Sequence, residues 1–285
     1  LKVIWVYENI KRELSAFSKF NILVMLASAS LWKKNHPEDR TVLYCDPFTY
    51  DFYKSIGVLS IYDEVEILAF DNQIDKKTFW ASSKLEVLSR QTEPIIIMDG
   101  DTLVFKRVKE LINPNEVMVS NFEIGRGYYP TSIDPYIRKL SYRPRWKTDS
   151  VNVSFLHLPD PEFTQYYAKL SLQLMDEFTK MEAPNSKYLI FAEQLLLKHL
   201  LDKHDIPHRG MLSTAWDCDA WEWSKTELSG LWTIKDSWKY YNHYGPLKQW
   251  YKADDPGFPY KKEIDMLLNC INFHKLIDLS MIEKP

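Results

Sequence analysis

Ile95-Ile96-Ile97-Met98-Asp99-Gly100-Asp101-Thr102-Leu103-Val104-Phe105-Lys106 is the stretch whose reading decides the fold. Its first residues, apolar and mostly β-branched, read as a strand buried on both faces, the kind that parallel sheets contain. Two carboxylates around a glycine interrupt it, and an apolar segment resumes at residues 102–105. Carboxylate oxygens suit a hard divalent cation such as magnesium or manganese. The glycine permits a tight turn and the close approach of a ligand.

Upstream, apolar β-prone runs at 3–7, 41–45 and 65–68 alternate with helix-forming stretches at 17–34, 47–55 and 78–90. Asp46-Pro47 opens the second helix and Gly57 closes it, while Glu93-Pro94 ends the third. The β-α-β-α-β-α-β order predicts an α/β fold with a mainly parallel central sheet flanked by helices. Ligands of such sheets bind at the carboxyl ends of the strands. Asp99-Gly100-Asp101 follows the fourth strand at that edge.

Downstream the pattern is less regular. Residues 151–158 alternate as a strand, 161–180 and 188–203 read as helices, and 263–279 as a terminal helix. Residues 210–260 are rich in Trp, Tyr, Gly and Pro and read as long loops with short strands. No repeat or linker divides the chain. The expectation is one domain over 1–285, with a nucleotide-binding half at 1–110 and an irregular acceptor-side half at 111–285.

The chain of 285 residues has 45% apolar and 26% charged residues, ordinary for a globular protein. A net charge of −3 gives no electrostatic case for nucleic acid or a membrane surface. Cys45, Cys218 and Cys270 form no C-x-x-C pair, so neither a structural zinc nor a disulfide framework is expected. Sparse cysteine points to a reducing compartment and hence the cytoplasm. The apolar run at 20–31 falls short of the roughly 20 residues that cross a bilayer. No transmembrane segment or signal peptide is therefore expected, although Leu1 is no natural start and a leader or anchor could precede it. Trp216, Trp221, Trp223, Trp232, Trp238 and Trp250 crowd one region. They suit a core, or a cleft where sugar rings stack on aromatic planes. His199, His204 and His208 are spaced by five and four with Pro207 between, cannot share one helical face, and read as surface residues. Lys106-Arg107 and Arg143-Pro144-Arg145 read as solvated.

The 95–106 stretch resembles the D-x-D strand of the GT-A glycosyltransferases, especially those like glycosyltransferase family 8. A second match is Tyr241-Asn242-His243-Tyr244-Gly245-Pro246-Leu247-Lys248-Gln249-Trp250, which is similar to the family pattern H-x-x-G-x-x-K-P-W. Here the His-to-Lys spacing is one residue shorter and Gln249 replaces the proline. The resemblance implies that Asp101 binds the metal, that Asp99 contacts ribose and metal, and that His243 is the third ligand. Gly245 and Lys248 would contact the diphosphate, with Lys248 neutralising leaving-group charge. Residues 151–156 resemble the strand N-S-G-hydrophobic beside the donor sugar, with Asn152 matching and Ser154 where glycine is usual. Ala192-Glu193-Gln194-Leu195 resembles the segment near the acceptor, where Glu193 and Gln194 would read hydroxyls and Glu193 could act as a base. Lys84 would face the donor, and Tyr7, Glu8, Asn9 and Asp46 would hold the nucleotide base.

The resemblance thus implies a GT-A transferase that uses manganese or magnesium. It would move a sugar from a UDP-sugar to a carbohydrate or other hydroxyl acceptor, with retention. No motif identifies the base that inversion would require, Glu193 and Asp149 being candidates only. Two alternatives stand beside it. A haloacid-dehalogenase-type phosphatase also carries D-x-D and a later acidic pair, here Asp254-Asp255. That motif opens its fold, whereas here three βα units precede it and Leu103 stands where Thr or Val is wanted. A non-catalytic carbohydrate-binding protein on the same fold would keep the aromatic cluster but need no metal ligands.

Overall fold

The computed structural model describes residues 1–10, 19–70, 72–124, 137–144, 149–181, 186–212, 214–217, 222–227, 230–232 and 241–243, with side chains for those up to residue 212 other than 19, 20, 124 and 186. The elements run β1 Lys2–Tyr7, α1 Lys19–Asn35, β2 Arg40–Cys45, α2 Pro47–Ser55, β3 Glu64–Ile67, α3 Ser82–Leu88, β4 Ile95–Met98 and β5 Thr102–Val104. They continue with β6 Val117–Ile124, β7 Ser150–Leu158, α4 Pro161–Thr179, α5 Ser186–Ile190, α6 Leu196–Lys203, β8 His208–Leu212, β9 Thr214–Asp217, β10 Glu222–Glu227, β11 Gly230–Trp232 and β12 Tyr241–His243. The fold is mixed α/β, with a mainly parallel sheet against which helices pack.

The chain gathers into two compact units. Among the described residues, one holds those of Leu1–Ala69 and Ile97–Glu110 together with β12, and the other those of Phe70–Ile96 and Leu111–Asp236. In the first unit β1, β2 and β3 are parallel neighbours, with Ile4 opposite Val42 and Leu43 opposite Val65. Val3, Ile4, Trp5, Val42 and Leu43 have no exposed surface, so this part of the sheet is covered on both faces. The central part of α1 is buried all round, in keeping with its predominantly apolar sequence. Its Ser28 is buried too, accepting from Trp5 Nε1 at 3.0 Å and donating to the Thr102 carbonyl at 2.6 Å.

In the second unit the strands lie in the order β10-β9-β6-β7, and β8 pairs with β6 and β11. β6 and β7 are antiparallel, with Asn121 opposite Asn152 and Glu123 opposite Ser150. The register shifts between Val119 and Asn121. There Ser120 Oγ lies 2.6 Å from Ser154 Oγ and accepts from the Phe155 N–H at 2.8 Å.

The helix expected at 78–90 begins only at Ser82. Asp75 gathers the preceding residues into a turn, accepting from the Lys77 N–H at 3.1 Å and from Thr78 Oγ1 at 2.7 Å. The fully buried Phe79 ring pins that turn. The helix expected at 188–203 is divided, because Phe191–Leu195 forms a π-turn between α5 and α6. His199, expected at the surface, is buried at 8% exposure, with Nε2 3.0 Å from the Tyr142 hydroxyl. The proposed helix at 263–279 lies outside the described residues.

Candidate functional site

In the first unit, Ile97 and Met98 at the end of β4 lead to Asp99, and a tight turn closes when the Thr102 N–H donates to the Asp99 carbonyl at 3.0 Å. Asp101 is buried at 4% exposure, while Asp99 and Gly100 are half-buried. Packing favours glycine at position 100. A Cβ there would meet Met25 Cγ at 2.9 Å and Met25 Sδ at 3.3 Å, so any side chain at this position forces the Met25 side chain on α1 to shift. After the turn, β5 is held to α1 by Ser28 on the Thr102 carbonyl and by Asn35 Nδ2 on the Val104 carbonyl at 3.2 Å.

β5 pairs antiparallel with β12, with Tyr241 opposite Val104, Asn242 opposite Leu103 and His243 opposite Thr102. The backbone of His243 therefore runs alongside the residue that follows Asp101. Gly245, Lys248 and the His243 side chain lie outside the described residues. Among the described residues, no three His, Cys, Asp or Glu side chains gather into a metal site. The donor chemistry nonetheless fits a hard cation: a buried and a half-buried carboxylate on one rigid turn, with a histidine-bearing strand in register beside it.

Tyr7 and Glu8 at the end of β1 are half-buried and Asn9 is buried. Burial, with a smaller contribution from the Asp46 charge, pushes the Tyr7 phenol up to about 12, so it stays a hydrogen-bond donor at neutral pH. Asp46 is a structural cap. Its Oδ1 accepts from the Phe48 and Thr49 N–H groups at 2.9 and 3.1 Å. Its Oδ2 accepts from the Asn9 N–H at 2.7 Å and from Thr49 Oγ1 at 2.6 Å. Four donors on two oxygens fill its acceptor capacity, so Asp46 holds Asn9 in place and starts α2.

The second unit carries the remaining candidates. Lys84 on α3 donates to the Val153 carbonyl at 3.4 Å and forms an ion pair with Glu193 at 2.9 Å. The two side chains are 11% and 6% exposed, so this pair is buried. Glu193 sits in the π-turn, whose backbone the Tyr167 hydroxyl holds by donating to the Glu193 carbonyl at 3.2 Å. π-turns are often found at functional positions. Gln194 beside it is half-buried.

Asn152 and Ser154 are buried on β7. The Asn152 amide is oriented from both ends: Oδ1 accepts from the Ser154 N–H at 3.0 Å and Nδ2 donates to Glu123 Oε1 at 3.2 Å. Glu123 and Asn121 on β6 are site-like residues that sequence reasoning missed. The available signal was the alternation Asn121-Phe122-Glu123, which places two polar groups on one face of a strand.

Comparison with curated proteins gives no match. Solved structures with some likeness include the galactosyltransferase LgtC in complex with donor and acceptor sugar analogues, at 10% identity and a TM-score of 0.39 over 68% of this chain and 71% of that one. The glycosyltransferase GlyE of Streptococcus pneumoniae in its apo form aligns at 10% identity and a TM-score of 0.41, over 73% of this chain but only 44% of that one. Mouse xyloside xylosyltransferase 1 aligns at 10% identity and a TM-score of 0.38, over 74% and 85%. Likeness at this level decides neither activity nor substrate. The sequence itself matches DUF6734, a family of unknown function, over residues 14–251, and the chain belongs to that family.

Proposed function

We propose that this protein is a metal-dependent glycosyltransferase that moves a sugar from a UDP-sugar to a hydroxyl acceptor, with retention. The observation that carries the reading is the register of β5 with β12. Two motifs far apart in sequence, Asp99-Gly100-Asp101 and His243-Tyr244-Gly245-Pro246-Leu247-Lys248, are the ones such an enzyme needs together, and His243 stands opposite Thr102.

Asp101 and His243 would hold manganese or magnesium, with Asp99 assisting. A bound divalent cation supplies Lewis-acid stabilisation of charge on the departing diphosphate. Lys248 adds a fixed positive charge for the same purpose, and the Gly245 backbone lets the phosphates approach. Tyr7, Glu8 and Asn9, at the carboxyl end of β1, would hold the nucleotide base. Lys84 is a poorer partner for phosphate, because the buried Glu193 carboxylate already compensates its charge. That pairing also makes Glu193 a weak choice for a base.

The test is UDP release from a panel of UDP-sugars, with and without manganese, for the native protein and D101A. Manganese-dependent release that falls about 100-fold or more in the variant is expected. Near-native release by D101A sinks the assignment. Turnover of a phosphomonoester in place of UDP-sugars marks a phosphatase.

A further inference from the structure

Every position of β5 is buried, and Thr102, Leu103 and Val104 keep no exposed surface. Leucine and valine suit that setting, whereas a hydroxyl taken out of water costs free energy unless it is hydrogen-bonded. Valine has nearly the shape of threonine and favours strands as well, so packing and propensity alone do not call for Thr102. The backbone of Thr102 is already engaged. Its N–H donates to the Asp99 carbonyl at 3.0 Å, and its carbonyl accepts from Ser28 Oγ at 2.6 Å. Its Oγ1 is buried and has no hydrogen-bond partner among the described residues. The large majority of buried side-chain polar atoms have one. The residue directly across the strand pair is His243. Directly opposite residues on antiparallel strands share a face, with Cβ atoms about 4.5–5.5 Å apart. At that separation a threonine hydroxyl can reach the nearer nitrogen of an imidazole, Nδ1, which lies one bond closer to Cβ than Nε2.

We propose that Thr102 is a positioning residue for His243: its Oγ1 accepts from the His243 Nδ1–H and so leaves the Nε2 lone pair for a cation. A neutral imidazole carries one proton, and a hydrogen bond to one nitrogen fixes which nitrogen is left as the ligand. Partners of this kind orient metal-bound histidines and raise their basicity. Thr102 directly follows Asp101, so the turn that presents the carboxylates would also set the histidine. The bonds to the Asp99 carbonyl and from Ser28 hold the Thr102 backbone in place for that task. The purpose of the contact rests on the proposed metal site, but the contact itself is read without metal.

Long-range proton–nitrogen correlation NMR of the histidine rings, on the full chain without metal and at alkaline pH, reads the tautomer. The His243 signals are those that H243Q removes. A neutral histidine side chain in water favours the proton on Nε2, so an Nδ1–H tautomer at His243 is the expected signature. T102V keeps the shape and deletes the hydroxyl, and should return His243 to the Nε2–H form. T102S keeps the hydroxyl and should retain Nδ1–H. In manganese titrations followed by the paramagnetic resonance of the unbound ion, T102V should bind about tenfold more weakly and T102S like the native protein. A merely structural threonine would move neither readout. An Nε2–H tautomer in the native protein overturns the proposal, and so does native-like tautomer or manganese affinity in T102V. A native protein that shows the Nδ1–H tautomer, loses it in T102V and yet binds no manganese overturns the metal site and leaves the Thr102–His243 contact standing, so the two failures are distinguishable.

Discussion

At the residue scale, the decisive glycine is explained by a neighbour. Gly100 has Met25 where its Cβ would be, at 2.9 Å from Cγ. G100A should therefore cost about 1–3 kcal/mol by overpacking. M25A opens a cavity and costs about 2–5 kcal/mol alone. In the double variant the new methyl enters the space that Met25 vacates, so the combined loss in urea unfolding should fall short of the sum by at least about 0.5 kcal/mol. Additive losses would mean that the contact does not limit position 100. His36 supports a second residue-level prediction. It is fully buried; the Val108 N–H donates to its Nε2 at 2.9 Å, and its Nδ1 lies 3.3 Å from the Trp32 carbonyl. Nε2 must be the acceptor, so the proton sits on Nδ1 and the ring is neutral. Burial holds its pKa below the ordinary value, outweighing the opposing effects of the Trp32 carbonyl, Asp39 and Glu38. The unfolded chain then binds the extra proton first. The stability that neutral His36 contributes is full above the unfolded pKa of about 6.5 and is lost as pH falls below it. H36Q, whose side-chain oxygen can still accept from Val108, should flatten the denaturation midpoint between pH 7 and 5 relative to the native protein. One proton limits the difference in slope to about 1.4 kcal/mol per pH unit.

At the element scale, caps can be ranked by what they hold. Asp160 starts α4 by accepting from the Glu162 and Phe163 N–H groups at 2.8 and 3.3 Å, and D160A should cost about 1 kcal/mol. Asp46 caps α2 and in addition accepts from Asn9 and Thr49 Oγ1 in a buried setting, so D46A should cost more than about 2 kcal/mol. Equal losses in the two variants would show that the Asn9 tie adds nothing. α2 was legible in sequence because Asp46-Pro47 and Gly57, which takes φ 73° just beyond the helix, are local signals. β6 was not, because Ser120, Asn121 and Glu123 break the apolar pattern that marks a buried strand, and they are buried only by what lies over them. The π-turn at Phe191–Leu195 was equally hidden: its residues have ordinary helical spacing, and the pairing of Glu193 with Lys84 is a tertiary contact that local pattern does not mark. Alternation of apolar strand and helix, by contrast, is a local property. The parallel β1, β2 and β3, and the turn after β4, followed from it directly.

At the scale of the whole molecule, the candidate metal site depends on chain segments that local pattern cannot join. The pairing of β5 with β12 brings His243 opposite Thr102, and only the folded chain could show that register. If Asp101 and His243 share one cation, ligand binding and the integrity of this strand pair are linked thermodynamically. A ligand that binds the native state alone at a hundredfold its dissociation constant stabilises it by about 2.7 kcal/mol. Manganese with UDP should therefore raise the melting temperature more than UDP alone. It should also slow amide exchange in Thr102–Val104 and Tyr241–His243 together, since β5 and β12 hold each other's backbone groups. D101N removes one charge from the ligand set with little change of shape, so it should abolish the manganese-dependent part of both effects. Equal stabilisation by UDP with and without manganese, or slower exchange in β5 alone, would separate the two motifs and count against a shared metal.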